Sequence, residues 1–176
     1  MTRNPERREQ IIDALAAHVL AHGLAGSSLR PLAAAAGLSD RMLLYHFKDK
    51  AEAMAAAAER IAAQLTARIT AEMRGPMPFE PLRIKLATAL MADDVWPYMK
   101  LWLEIVSGAA RGDAFCQQVG AQLGSGFLAW CAVQLECPEE DRARQAALLL
   151  ASIDGLFVLK AVGMEGAVRD ALSPSG

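Results

Sequence analysis

Apolar residues recur along this chain at intervals of three and four, and no stretch keeps a period of two, so the pattern predicts helices throughout. In the first predicted helix, Pro5–His22, Ile11, Leu15 and Val19 form one stripe, with Ile12 and Leu20 beside it. Asn4 is placed to cap it, Pro5 stands at its first position, Glu6 suits its positive end and Gly23 ends it. Ser28 then caps a short helix over 29–36, with Pro31 near its first turn. Gly37 stops that helix, and Ser39 caps another that runs to about His46. Asp49 caps a long fourth helix over 50–73. Gly75, Pro76, Pro78 and Pro81 then make the clearest break in the chain. Beyond it the pattern predicts about four more helices, near 80–92, 94–108, 113–136 and 138–163, with short connections that favour antiparallel neighbours. The tail Ser173, Pro174, Ser175 and Gly176 is expected to fray.

Composition agrees with this pattern. Of 176 residues, 53% are hydrophobic and only 6% aromatic, with alanine common, which favours an ordered all-α protein over a sheet or a disordered chain. Three cysteines (Cys116, Cys131 and Cys137) without a CxxC pair argue against a disulfide framework or a cysteine-rich zinc site. No apolar run follows the polar first ten residues, so no signal peptide is expected. The charge-free apolar stretch 146–153 is closed by Asp154, well short of the roughly 18 residues that a membrane span needs. The default expectation is therefore a cytoplasmic protein without a membrane partner. The net charge of −2 hides an asymmetry. Residues 1–50 hold seven basic and five acidic side chains, the remainder 11 and 15, and all three histidines lie in the first fifty. That segment is the candidate to face a polyanion.

The segment 29–47 has helix-turn-helix spacing. Two short helices that cross steeply need a small residue where they approach, which Ala33 supplies, and a turn residue tolerant of positive φ, which Gly37 supplies four positions on. Leu32, Ala36, Leu38 and Leu43 are the apolar positions that hold the pair together. The second helix can then lie in a major groove, with Ser39, Asp40 and Arg41 at its base-facing start. Arg41 can donate a bidentate pair to guanine, and Tyr45, His46 and Lys50 follow where phosphates would lie. Spacing alone would equally suit two packed helices of an ordinary core, as would the run Met42, Leu43 and Leu44; the flanking residues decide between them.

Those flanks resemble the DNA-binding segment of the TetR family of bacterial transcriptional regulators. The family pattern has Gly, then Thr/Ser, Ile-Ala, Ala-Gly-Val-Ser, Leu-Tyr-x-His-Phe and Lys. Here it reads Gly23, Ser27-Ser28, Leu32-Ala33, Ala36-Gly37-Leu38-Ser39, Leu43-Leu44-Tyr45-His46-Phe47 and Lys50. The match covers about residues 5–65; beyond it only the layout of paired helices is similar. The resemblance implies an all-α protein. A three-helix head (5–65, motif 28–47, with a connecting helix to about 73) precedes a ligand-binding and dimerisation domain over 77–176. It implies that Ser28 and Arg30 contact DNA from the first helix of the motif. Ser39, Asp40, Arg41 and Met42 would then face bases, Tyr45 and His46 would close the recognition helix, and Lys50 would bind phosphate. Leu44 departs from the pattern, standing where the family has a tyrosine that often contacts DNA.

Other candidates are weaker. His18 and His22 are four apart on one helix, a spacing that can bind zinc, but no HExxH glutamate or third ligand is near in sequence, so no metal is expected. Gly120, Gly124 and Gly126 fall within a helix, where the first two allow close helix approach. No nucleophile elbow and no phosphate-binding glycine loop follows a strand, and the cysteines read as small apolar residues, so no catalytic residue and no cofactor is assigned. The stretch 95–102 concentrates two of three tryptophans and one of two tyrosines. It suits ordinary core or one wall of a small-molecule cavity; on the second reading Trp96, Tyr98, Met99 and Trp102 meet the ligand. The last two long helices are apolar around much of their circumference, so a two-fold dimer through Phe127, Trp130, Leu149, Ile153, Leu156 and Phe157 is expected. The combined expectation is a homodimeric operator-DNA-binding regulator, a repressor released by a small-molecule effector. The rival is a helical small-molecule-binding protein or enzyme that retains a vestigial head.

Overall fold

The structure, a computed structural model, describes residues 5–173, and these form nine helices with no strand. In chain order they are α1 Pro5–His22, α2 Leu29–Ala35, α3 Asp40–His46, α4 Lys50–Glu72, α5 Phe79–Leu90, α6 Trp96–Ala110, α7 Ala114–Gln134, α8 Glu139–Ala161 and α9 Glu165–Leu172. Eight lie within a few residues of their predicted places. The ninth is an addition: it is one short element after Gly163, whose φ of +79° turns the chain out of α8. The expected cap at Asn4 and the residues after Ser173 lie outside the described residues.

The helices form two compact units. One holds the chain up to Thr66 together with Lys100–Ala121; the other holds Ala67–Met99 and the chain from Gln122 on. This differs from a partition at residues 65–77, because residues 100–121 group with the N-terminal helices rather than with the C-terminal ones. One hydrogen bond inside the first unit joins the two stretches, and a glycine sets a close helix crossing within the second stretch. The Glu104 carboxylate accepts the Leu24 N–H (2.8 Å) at the turn after α1. Gly108 lies so close to Cys116 that an added Cβ would stand 2.5 Å from its Sγ, so this α6–α7 crossing needs glycine. Gly120 also faces α6, against Ile105, as its spacing suggested.

The core of the first unit is built from Ile11, Leu15 and Val19 of α1, Leu32 and Ala33 of α2, Leu43 and Phe47 around α3, and Ala53, Ala57 and Ile61 of α4. In the second unit α8 packs on α5 and on α9. Its buried stripe is Ala146, Leu149, Ile153, Leu156 and Phe157, and Leu82, Leu86, Ala87 and Leu90 are the buried residues of α5. Helix ends in this unit are closed by cations from other helices. Lys85 donates to the Glu72 carbonyl at the end of α4 (2.7 Å) and Lys160 to the Met91 carbonyl after α5 (2.6 Å). Arg142 donates to the Ala132 and Leu135 carbonyls at the end of α7 (2.9 and 2.8 Å), and Arg83 to Ala171 in α9 (2.9 Å). The last carbonyls of a helix have no intrahelical donor, and a cation there also meets the negative end of the helix dipole.

The burial of α8 corrects the expected dimer face. Leu149, Ile153, Leu156 and Phe157 lie inside the fold of a single chain and cannot meet a second one. An all-round apolar helix offers two candidate faces, and one of them is already covered by α5 and α9. The uncovered face carries Leu148, Ala151, Gly155, Val158 and Val162, spaced three and four apart and all exposed. Phe127 and Trp130 of α7 are half-buried; their rings stack at 5.4 Å, and Trp130 Nε1 donates to Thr70 Oγ1 (2.9 Å).

Candidate nucleic-acid interface

Turn chemistry places α3. Gly37 has φ +67° with nothing within 4 Å of where a Cβ would stand, so backbone conformation rather than crowding selects glycine. The chain reverses there, and the Leu38 N–H donates to the Ala33 carbonyl (2.8 Å). Ala33 is fully buried, as the tight crossing of α2 and α3 requires. Ser39 caps α3, its Oγ accepting the Met42 N–H at 3.3 Å. Ser28 occupies the corresponding position before α2 but makes no side-chain cap bond, so its expected capping is positional only.

The start of α4 is held by a reciprocal pair. Asp49 accepts the Glu52 N–H (2.9 Å), and the Glu52 carboxylate reaches back to the Lys48 N–H (2.7 Å). Glu52 also pairs with Arg8 (3.3 Å), whose guanidinium stacks over the Phe47 ring at 4.9 Å. This ties α1 to the end of α3 and fixes the turn that carries Lys48 and Lys50.

Charge is sorted by these contacts. Arg60 of α4 pairs with both Glu9 and Asp13 of α1, and Glu52 is held by Arg8. Three acidic side chains of the first unit are thereby neutralised within it. Among the described residues Arg30, Arg41, Lys48 and Lys50 make no ion pair, and all four are exposed. Ser28, Ser39, Asp40, Met42 and Tyr45 are exposed as well. His46 is half-buried; its Nδ1 is turned inward without a partner, and its ring lies edge-on to Tyr45 at 5.5 Å. Of its two nitrogens only Nε2 is left for a phosphate.

The remaining sequence candidates fall as follows. His18 and His22 stack at 4.3 Å, and their rings face the Gly26 (3.2 Å) and His18 (2.9 Å) carbonyls, so both serve the turn after α1. Cys131 is buried, and burial, followed by the Asp154 charge, pushes its thiol up to about 12; burial also raises that of Cys116. Neither supplies a thiolate near neutral pH. Met99 is buried, and Trp96, Tyr98 and Trp102 are half-buried. Trp96 carries the Lys160 ammonium over its ring at 4.4 Å.

None of these four lines the groove of about 1420 Å³ in the first unit. That groove runs along later residues of α6, with Leu103, Glu104 and Ser107, and is closed by Leu24, Lys50, Met54 and Phe115. Sequence reasoning missed Glu104. It is one exposed acid on an amphipathic helix, and its partner Leu24 lies 80 residues away. No local pattern marks such a pair. Among the described residues no helix is long and apolar enough to cross a membrane.

No family model and no curated protein matches the chain. Solved structures do. A protein from Rhodococcus sp. assigned to the TetR family of transcriptional regulators superposes with a TM-score of 0.75 at 21% identity, over 96% of each chain. The multidrug binding protein EbrR in complex with proflavin gives a TM-score of 0.68 at 27% identity, over 94% of this chain and 97% of that one. A TetR-family transcriptional regulator from Cytophaga hutchinsonii gives 0.69 at 15% identity, over 97% and 96%. The TetR-family fold read from Gly23 to Lys50 therefore extends over nearly the whole chain.

Proposed function

We propose that this chain, which has the fold of TetR-family transcriptional regulators, is a sequence-specific DNA-binding regulator of the cytoplasm, and that as a homodimer it represses by binding an operator that a small molecule makes it leave. The carrying observation is the sorting of charge in the first unit. Glu9 and Asp13 of α1 and Glu52 of α4 are ion-paired, while among the described residues Arg30, Arg41, Lys48 and Lys50 make no ion pair around a capped, exposed α3. A short helix held by Ser39, Leu43 and Phe47 can enter a major groove with Asp40 and Arg41 at base edges. Ser28, Arg30, Tyr45, the outer edge of His46 and Lys50 then meet phosphates and fix its register. TetR-family transcriptional regulators from Rhodococcus sp. and Cytophaga hutchinsonii share this fold, which favours this reading over an enzyme.

The dimer forms through the uncovered stripe of α8, from Leu148 to Val162. Alternating spacings of three and four make a seam that a second copy of the same helix can cover, and Gly155 lets the two approach. Two heads then read two half-sites about one helical turn, or a multiple, apart. Leu148→Asp with Val158→Asp is expected to give folded monomers by size exclusion and to abolish operator binding.

The effector acts through α6. EbrR holds proflavin in its solved complex; here the aromatic stretch Trp96, Tyr98, Met99 and Trp102 is the proposed contact. Nearer its C-terminal end the same helix carries Glu104, which holds the turn before α2 through the Leu24 N–H. A ligand that shifts α6 therefore pulls on the head, and α4, which begins at Lys50, is the second lever. Coupling is reciprocal, so an effector that weakens DNA binding must bind less tightly to the DNA complex.

The test is selection of bound sequences from a random duplex pool by the purified protein, followed by a thermal-shift screen of small molecules against the operator found. Enrichment of a two-fold symmetric site supports the reading. A pool that never enriches overturns it and leaves the small-molecule-binding rival.

A further inference from the structure

The recognition helix carries more exposed apolar surface than a helix of seven residues needs. Leu43 and Phe47 point inward and are fully buried, which fixes the orientation of α3. On its outward side Met42, Leu44 and Tyr45 are 45%, 41% and 49% exposed. At 100° per residue Arg41, Leu44 and Tyr45 share one face, with Asp40 one turn before Leu44 and Met42 on the flank. The apolar tips thus stand among an unpaired guanidinium, a carboxylate and the cations Lys48 and Lys50. A lipid or a protein core would have to desolvate those charges. A DNA major groove would pair them, and it also displays one kind of apolar group, the C5-methyl of a pyrimidine.

We propose that Leu44 is a specificity-determining residue that reads a pyrimidine C5-methyl in the operator. This inference rests on the DNA-binding reading and deepens it. Leucine offers no hydrogen bond, so opposite cytosine it leaves the N4 donor unpaired. Opposite thymine or 5-methylcytosine it buries its methyls against another methyl. A tyrosine at this position would bring a hydroxyl able to reach a phosphate. Leucine exchanges that sequence-blind contact for a base-reading one. Because Arg41 lies three residues earlier on the same face, the methyl should fall within about two base steps of the guanine that Arg41 reads, the helical offset of about 4.5 Å being close to one base-pair rise.

The test uses the full-length protein and the operator found by selection. Each thymine is replaced singly by deoxyuridine, which removes the methyl and nothing else. One position per half-site should lose about four-fold in affinity, and the symmetric double replacement about fifteen-fold, the value of one and two buried methyl-sized groups. In Leu44→Ala, whose circular dichroism should be unchanged because the side chain is exposed, the same replacement should cost less than two-fold. Cytosine at that position should bind better once 5-methylated, which separates a methyl reader from a thymine reader. Uniform indifference to deoxyuridine, or an equal loss in wild type and Leu44→Ala, overturns the proposal while leaving operator binding intact. A pool that enriches nothing removes operator binding itself, and this proposal with it.

Discussion

The head and the second unit use the same side-chain types in opposite ways. In the second unit Lys85, Arg83, Arg142 and Lys160 reach across to helix ends, and Arg68 is hydrogen-bonded to Asp94, which holds that carboxyl below its usual range. In the head, Arg30, Arg41, Lys48 and Lys50 point away from the chain. Leucines diverge likewise: Leu149 of α8 is fully buried, whereas Leu44 of α3 stands out. The lesson concerns net charge. The first fifty residues exceed neutrality by only two positive charges, yet they form the candidate polyanion surface, because Glu9 and Asp13 are ion-paired with Arg60 whereas, among the described residues, Arg30, Arg41, Lys48 and Lys50 make no ion pair. A count of charges sees neither arrangement.

The sharpest way to break this contrast is a charge at each leucine-type position. Ile153→Asp or Leu156→Asp places an unpaired carboxylate in the core of the second unit and should cost about 3–5 kcal/mol in urea unfolding, enough to unfold many domains outright. Leu44→Asp should stay within about 0.5 kcal/mol of the parent, as exposed substitutions do, and yet lose operator binding. If Leu156→Asp instead gives a well-folded monomer, the face assignment of α8 is reversed.

Arginines make the second comparison. Removing Arg142 leaves the Ala132 and Leu135 carbonyls without their donor, so Arg142→Met should lower the urea midpoint clearly, by less than the aspartate variants. Arg41→Met should leave the midpoint alone and weaken operator binding by about 5- to 150-fold, the range for a lost bidentate base contact. Lys50→Ala should weaken all sequences alike and reduce the salt slope by about one unit.

What was legible in the sequence follows the same division. Positions of α1 to α4 could be read because local chemistry dictates them: Pro5, Gly37, Ser39 and Asp49 each act on their own backbone within a few residues. Which face of α8 is inside could not be read. Leu148, Leu149 and Leu150 are consecutive and equally apolar, and only α5 and α9 decide that Leu149 is the one buried. The Glu104–Leu24 contact and the grouping of residues 100–121 with the head were illegible for the same reason: both are set by pairings far apart in sequence. The ninth helix escaped because it is short.

Two glycines test the claim that backbone conformation sets the head. Gly37→Ala forces an L-residue to φ +67° in open space, so strain alone should cost about 1–2 kcal/mol. Gly166 lies within α9 at an ordinary helical position, also in open space. Alanine there should stabilise by up to about 1 kcal/mol, the propensity difference in a helix. An unchanged unfolding midpoint in Gly37→Ala would show that φ does not select this glycine.

The smallest expected effect separates two serines that look alike in sequence. Each precedes a seven-residue helix of the motif, and each occupies the N-cap position with extended backbone. Ser39 accepts the Met42 N–H, satisfying one of the donors that the first turn of α3 leaves open; Ser28 makes no such bond. Ser39→Ala should therefore cost about 1 kcal/mol in urea unfolding, and Ser28→Ala close to nothing. DNA adds a second readout. Hydroxyls near phosphates contribute to affinity whether or not they cap, so Ser28→Ala should weaken operator binding at unchanged stability. Ser39→Ala should weaken it partly by fraying the start of α3, where Asp40 and Arg41 stand. Supplying the missing cap with Ser39→Asp separates the two effects: it should restore the unfolding midpoint, while its charge beside the DNA keeps binding weak. Recovery of binding along with stability would mean that Ser39 serves the interface only as a cap.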